Sequence, residues 1–324
     1  MSALRRVQEK SASVLAGLQA ACAAKITLPA GTGIVVVGSL GRGEVTSGSD
    51  VDHLIITLED PSKHRKLRRE CKRAREAVDE IVNGQGLRSP ADGGAFKDVA
   101  WLGELTSTVG TDAETNTLLT HRMLLQLESR PLLGDEVWRR GLDDIRGGYL
   151  ELGGPIKSHR PPRFLLNDVI RYWRTMGVDF EGKMRGRGGD GWGIRNAKLR
   201  TVRKMLFVGG LLPTLECHRL EDHEIDSFLR DRFAMTPVDR VAEASMAVGG
   251  AAAGAKALCA YGRFLDLIDD ETRRDHLNNL REQDRSSSEL WAEVKGIGDE
   301  FQQGLLEILF GTGLKDIVRE YVVF

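Results

Sequence analysis

Four cysteines in 324 residues, Cys22, Cys71, Cys217 and Cys259, are too few and too scattered for a disulfide framework. No CxxC pair is present. Cys217, His218 and His223 lie near one another, but no second ligand cluster accompanies them to close a tetrahedral zinc site. No stretch approaches 18 uninterrupted apolar residues, and the first residues lack the apolar run of a signal peptide, so the expectation is a soluble, cytoplasmic protein with no membrane contact. Charge of one sign is also missing. Lys and Arg number 46 against 47 Asp and Glu, a formal net charge of -1, which excludes a diffuse nucleic-acid coat but not a local basic pocket. The 37 glycines follow no collagen-like period, and 29% charged residues fit a globular chain. The length suits two domains.

What is present divides unevenly. Residues 2 to 24 carry Leu4, Val7, Val14, Leu15, Leu18 and Cys22 at helical spacing, with Arg5, Arg6, Glu9 and Lys10 on the other face. Pro29, Gly31 and Gly33 break that helix. The β-branched run Ile34 to Val37 predicts a buried strand, and Val51 to Leu58 predicts a second one, ended by Asp60 and Pro61. Between them Gly38 to Ser49 is a glycine- and serine-rich connection with room for a short helix. A charged helix follows from about Lys63 to Asn83, with Leu67, Cys71, Ala74, Val78 and Ile81 as its buried stripe and its cations on a solvated face. Helical periodicity then dominates, at about 114 to 128, 134 to 150, 163 to 181 and 194 to 208, and β-alternation is not seen after residue 110. The expected class is α+β: a small mixed-sheet core in residues 1–130, then an all-helical domain in 131–324 that closes the cleft.

The segment Gly38 to Leu54, GSLGRGEVTSGSDVDHL, carries the chemistry. Asp50 and Asp52 stand two apart at the mouth of a strand, so they share a face, with Cα atoms about 6.6 to 7 Å apart. Leu54 and Ile56 continue that face inward, whereas His53 alternates away. Two neighbouring carboxylates suit a pair of hard divalent cations, Mg²⁺ or Mn²⁺. Just upstream, Gly38 lets a phosphate approach the backbone, Ser39 adds a hydroxyl donor, and Arg42 offers a fork of donors for phosphate oxygens. Other glycine motifs do not fit. The order G38-x-x-G41-x-G43 is not the dinucleotide fingerprint G-x-G-x-x-G, and Glu44 stands where a P-loop needs lysine. The serines of TSGS, 46 to 49, have no His and Asp partners and serve as turn residues.

A Gly-Ser turn, a spacer and an Asp-x-Asp entering a strand resemble the nucleotidyltransferase superfamily that includes DNA polymerase β. The stretch GSLGRGEVTSGSDVDHLI looks most like the corresponding segment of the PII-protein uridylyltransferases, where an arginine follows the glycine turn. The resemblance implies that Gly38 and Ser39 hold nucleotide phosphates and that Asp50 and Asp52 bind metal. It covers about 20 residues closely and the first 110 to 130 more loosely. Those uridylyltransferases carry further regulatory domains for which this chain has no room, so their protein substrate is not carried over.

Superfamily members add a third carboxylate on a later strand. Asp98, in AFKDVAWL, is the first choice, with Asp112 and Glu104 as alternatives, and the absence of a third ligand stays open. In the helical half Arg195 and Lys198 head a basic strip that suits phosphate contact as well as it suits ordinary ion pairing. Trp173 and Trp192 are read as core. Arg122 and Arg130 are candidate nucleotide contacts, with an ordinary Glu128–Arg130 ion pair at the helix end as the favoured reading, and the segment around Asp168, Arg171 and Arg174 offers another polar surface.

The resulting expectation is a metal-dependent transfer of a nucleoside monophosphate from an NTP, with ATP as the expected donor, and release of pyrophosphate. The acceptor is open among a protein side chain, an RNA 3′ end, a metabolite and a nucleotide. Two alternatives stand beside it: a nucleotide-binding sensor or scaffold that has lost turnover, and a cyclic or short oligonucleotide synthase.

Overall fold

A β-branched run bracketed by glycines makes the first strand, β1 (Thr32–Val36), and the run after Asp52 makes the second, β2 (His53–Thr57). The computed structural model describes residues 3–90, 98–152, 154–155 and 157–322. The chain divides into two units, Arg5–Leu152 and Gly153–Phe324 with Met1–Leu4.

In the first unit β1 and β2 pair antiparallel, Val35 opposite Leu54 and Gly33 opposite Ile56. A two-residue strand, β3 (Ala100–Trp101), joins β2 in parallel, and β4 (Arg130–Leu133) joins β1 antiparallel. The sheet order is β3-β2-β1-β4. Every residue of β1 and β2 is buried, as expected of strands covered on both faces. Ile34, Val36 and Ile55 share one core with Leu18 and Cys22 of the first helix, α1 (Ala3–Lys25). A short helix, α2 (Gly38–Arg42), follows β1, and then α3 (Arg65–Gly84) brings Leu67, Cys71, Ala74, Val78 and Ile81 into the same core, the stripe expected from their spacing. On the other face, helix α4 (Leu102–Ser107) follows β3, α5 (Asn116–Glu128) follows α4, and α6 (Asp135–Glu151) contacts both β1 and β2.

Strand β4 departs from the expectation of no β-structure beyond residue 110. It contains Pro131, which cannot donate a ladder hydrogen bond, and it is tolerated because β4 is an edge strand paired to β1 across a register shift between Ile34 and Val35.

The described residues of the second unit form helices with no strand. These are α7 (Arg163–Gly186), α8 (Trp192–Arg200), α9 (Val202–Glu216), α10 (Asp222–Ala234), α11 (Pro237–Ala247), α12 (Ala251–Asp269), α13 (Glu271–Asn279), α14 (Glu289–Gly311) and α15 (Lys315–Tyr321). The single helix expected at 194 to 208 is two, broken at Thr201, whose backbone leaves helical geometry at φ -122° and ψ -77°. Trp192 packs on Trp291 with ring centroids 4.7 Å apart, and Trp173 stacks on Phe207 at 5.4 Å, so both tryptophans serve packing. No helix among the described residues is long and apolar enough to cross a membrane.

Candidate active site

Period-two alternation along β2 sends neighbouring side chains to opposite faces. His53 goes with Ile55 toward α3, where its Nε2 lies 3.9 Å from Asp79 Oδ1. Asp52 goes with Leu54 to the other face and comes to rest on the glycine turn. The Val37 N–H donates to the Asp52 carbonyl at 3.0 Å, tying the exit of β1 to the entrance of β2. The Asp52 side chain then lies over Gly38, whose φ is +66°: a Cβ there would stand 2.6 Å from Asp52 Oδ2. Turn and carboxylate are in contact.

Asp50 is exposed. It is placed by an isolated parallel bridge to Arg88 and by the Val51 N–H, which donates to the Arg88 carbonyl at 2.8 Å. Upstream, Thr46 and Ser49 close a turn: the Thr46 N–H donates to Ser49 Oγ at 3.0 Å and the Ser49 N–H to the Thr46 carbonyl at 3.1 Å. Ser39 is half-buried in the first turn of α2, and its carbonyl accepts the Glu44 N–H at 2.8 Å.

Arg42 is held by two buried carboxylates. Its Nε donates to Glu44 Oε2 at 2.7 Å and its Nη1 to Glu128 Oε2, with both acidic side chains under 5% exposed. From sequence Glu128 is read as a partner for Arg130 and not for Arg42, and Glu44 only as the residue that excludes a P-loop. Glu44 had only its position two residues beyond Arg42 in a turn of small residues, and Glu128 only its place at the end of a helix buried along its second half. Gly41 belongs to the same contact, since a Cβ there would overlap the Glu128 carbonyl oxygen. Arg122, read from sequence as a candidate nucleotide contact, is an interior clamp. Its Nε donates to Tyr149 Oη at 2.7 Å, Nη1 to the Leu105 carbonyl at 3.1 Å, and Nη2 to Glu114.

The three acids considered for a third carboxylate fall at different ends of β3. β3 runs parallel to β2 with Ala100 opposite Ile56 and Trp101 opposite Thr57, so its start lies beside the last two residues of β2. Asp98 is exposed and precedes Ala100 by two residues; residues 91–97 before it lie outside the described residues. Glu104 and Asp112 come after β3, past its other end, and both are exposed. Behind the sheet Arg75 of α3 donates from Nη2 to the Asp98 carbonyl at 3.4 Å. Burial, opposed by Asp79, pushes the His53 imidazole below its ordinary range. Arg195 and Lys198 belong to α8 of the second unit, Arg195 half-buried and Lys198 exposed.

Among the described residues no group of three His, Cys, Asp or Glu stands together as a metal cage. The donor set at the strand mouth is two carboxylates, one exposed and one half-exposed. That fits Mg²⁺ or Mn²⁺, which takes one or two carboxylates and completes its shell with water and substrate phosphates.

Residues 22–83 match the family described as Nucleotidyltransferase domain. The chain carries a nucleotidyltransferase domain, related to the DNA polymerase β-like superfamily. The nucleotidyltransferase match runs from Cys22 through β1, α2 and β2 to Asn83 in α3, so it includes Gly38, Ser39, Asp50 and Asp52 and stops short of Asp98. Comparison with curated proteins returned no match.

Proposed function

We propose that this protein transfers a nucleoside monophosphate from an NTP, with ATP as the expected donor, to an acceptor hydroxyl and releases pyrophosphate. The observation that carries the proposal is the contact of the Asp52 carboxylate with Gly38 at the head of α2. A phosphate resting on that turn has a metal-binding carboxylate as its neighbour. Asp50 and Asp52 would hold the divalent cations, which supply a lowered pKa for the acceptor hydroxyl and neutralisation of the charge on pyrophosphate. The acceptor oxygen forms a bond to the α-phosphorus while the bond to the α,β-bridging oxygen breaks in line.

The chain's own groups orient that step. The first N–H groups of a helix have no intrahelical acceptor, and with the Ser39 hydroxyl they suit the β- and γ-phosphates. Arg42 contributes by position, fixing α2 between Glu44 and Glu128. Asp98, at the start of the strand parallel to β2, receives the proton of the acceptor hydroxyl. The likeness to the PII-protein uridylyltransferases rests on the turn and the Asp-x-Asp segment and leaves the acceptor undetermined.

Incubating the full chain with each labelled NTP and Mg²⁺ or Mn²⁺, with and without cell extract, and weighing the products tests the proposal. Pyrophosphate release that disappears in Asp50→Ala and Asp52→Ala, and falls in Asp98→Asn, is expected. Tight NTP binding with no release under any of these conditions identifies a sensor instead. A cyclic or oligomeric product from NTPs alone identifies an oligonucleotide synthase.

A further inference from the structure

Eight of the 13 residues from Lys63 to Arg75 are Lys or Arg, against a single acid, Glu70, in a chain whose net charge is -1. From Glu76 to Gly84 the same helix has three acids and no cation. Charge is therefore sorted along α3, basic in its first half and acidic in its second.

That order works against the helix. Arg65, Lys66 and Arg68 stand in a first turn that has no acid, at the end where the macrodipole is positive and cations are disfavoured. Arg65, Arg69 and Arg73 follow one another at i,i+4, and so do Arg68 and Lys72, which makes like charges neighbours along the outer face. These five side chains are exposed, opposite the buried stripe of Leu67, Cys71, Ala74 and Val78. The nearby acids are taken by lysines: Lys63 meets Asp60 at 3.3 Å, Lys66 meets Glu70 at 3.8 Å and Lys72 meets Glu76 at 3.8 Å. Arg65, Arg68, Arg69 and Arg73 have no side-chain partner among the described residues.

Arg73 also lines a cleft of about 380 Å³ between α3 and the segment that follows α1. There Lys25 adds an exposed cation, Ile26, Leu28 and Pro29 supply half-buried apolar surface, and Glu70, held by Lys66, is the only acid of the lining. The strand mouth is elsewhere. Asp79, in the acidic half of α3, is the residue that approaches His53 at the start of β2, and Arg69 stands roughly 15 Å along the helix axis from it.

We propose that the row Arg65, Arg69 and Arg73, with Arg68 and the cleft at Lys25, binds the phosphate backbone of a single-stranded polynucleotide. Guanidinium forks roughly 6 Å apart along the axis offer successive phosphate contacts, and a cleft with apolar walls accepts an unstacked base. A protein partner asks for apolar or aromatic anchors at the centre of the contact. The basic half of α3 presents none: the exposed large apolar side chains of the described residues, Phe164, Val178, Met246, Leu306 and Phe310, belong to the second unit. A membrane surface asks for a helix whose apolar face is free, whereas that of α3 is packed into the core. This surface stands whether or not the Asp50–Asp52 mouth turns over nucleotides.

The test is fluorescence anisotropy of labelled oligouridylate, and separately oligothymidylate, titrated with the full chain in EDTA so that no divalent cation joins the probe to Asp50 and Asp52. Saturable binding is expected, with its logarithm falling linearly against that of the salt concentration. Arg65→Gln with Arg69→Gln and Arg73→Gln weakens it at least tenfold and lowers the salt slope by about 2, since each single-strand phosphate contact contributes about 0.7. All three arginines are exposed, so the variant keeps the fold, and relief of like-charge repulsion raises its melting temperature. Arg263→Gln with Arg281→Gln and Arg285→Gln removes the same charge from exposed, acid-paired positions of the second unit and leaves binding within about twofold. Binding of either probe supports the proposal, and the tighter of the two tells RNA from DNA. Wild-type chain that binds neither probe at low salt overturns it, as does binding that the α3 variant keeps or that the second-unit variant loses equally. So does displacement of the probe by polyglutamate at a lower charge concentration, which identifies an acidic protein segment, or by a duplex at a lower phosphate concentration.

Discussion

The carboxylate of Asp52 rests on Gly38: Oδ2 lies 2.6 Å from where a Cβ of residue 38 would be, and the Val37 N–H beside that glycine donates to the Asp52 carbonyl at 3.0 Å. One residue thus sets both the glycine turn and the position of an acidic side chain. Glycine is required twice over, by its φ of +66° and by the space the carboxylate occupies.

Gly38→Ala is therefore expected to act on both counts. A left-handed backbone at a residue with a Cβ costs roughly 1–2 kcal/mol, a loss readable as a lowered urea midpoint. Moving the carboxylate by the width of a methyl group is expected to slow pyrophosphate release by about a hundredfold. A variant with the wild-type rate would show that the contact has no part in positioning Asp52.

Arg42 gives a prediction about folding. Its guanidinium bridges Glu44, two residues away, and Glu128, at the end of α5, both of them buried. Removing one member of a buried ionic group strands the others, at a cost of about 3–5 kcal/mol. Arg42→Met, which leaves two buried carboxylates facing each other, is expected to lose stability on that scale in urea unfolding. Adding Glu44→Gln and Glu128→Gln to the same chain should recover most of it. If the triple variant is no more stable than Arg42→Met, the network is not the source of the loss.

These contacts mark the limit of what the sequence makes legible. Strands β1 and β2 were visible because β-branched runs bounded by glycine and acidic breakers have few other outcomes, and the stripe of α3 because its apolar residues repeat at 3.6. The nearness of Gly38 and Asp52 was legible because the two lie within 15 residues of chain, at facing ends of paired strands. Strand β4 was hidden by its length and its proline, which only an edge position tolerates. The break at Thr201 was hidden because apolar spacing continues across it from Leu199 to Val202 and Leu206. Glu128 could not be linked to Arg42 across 86 residues. Which of Asp98, Glu104 and Asp112 precedes β3 and which follow it was not legible, because a two-residue strand leaves no periodicity to read.

Lys204 gives a prediction about pH. Its Nζ donates to Gln302 Oε1 at 2.7 Å across to α14. Burial, reinforced by the charge of Arg200, pulls its ammonium down to about 8 from an ordinary 10.5. In the unfolded chain Lys204 keeps its proton up to about 10.5, whereas in the folded chain it gives it up near 8. Between those values the unfolded state binds more protons, so the contribution of this residue to stability rises with pH across that window and is flat at its lowest below it. Lys204→Met removes the titrating group. The variant is expected to have a higher urea midpoint than wild type at pH 7, with the advantage shrinking as pH is raised from 8 toward 10.5. Taking the difference between the two proteins at each pH cancels the titration of every other lysine and tyrosine. A difference that stays constant across that range would place the Lys204 ammonium in water and not against α14.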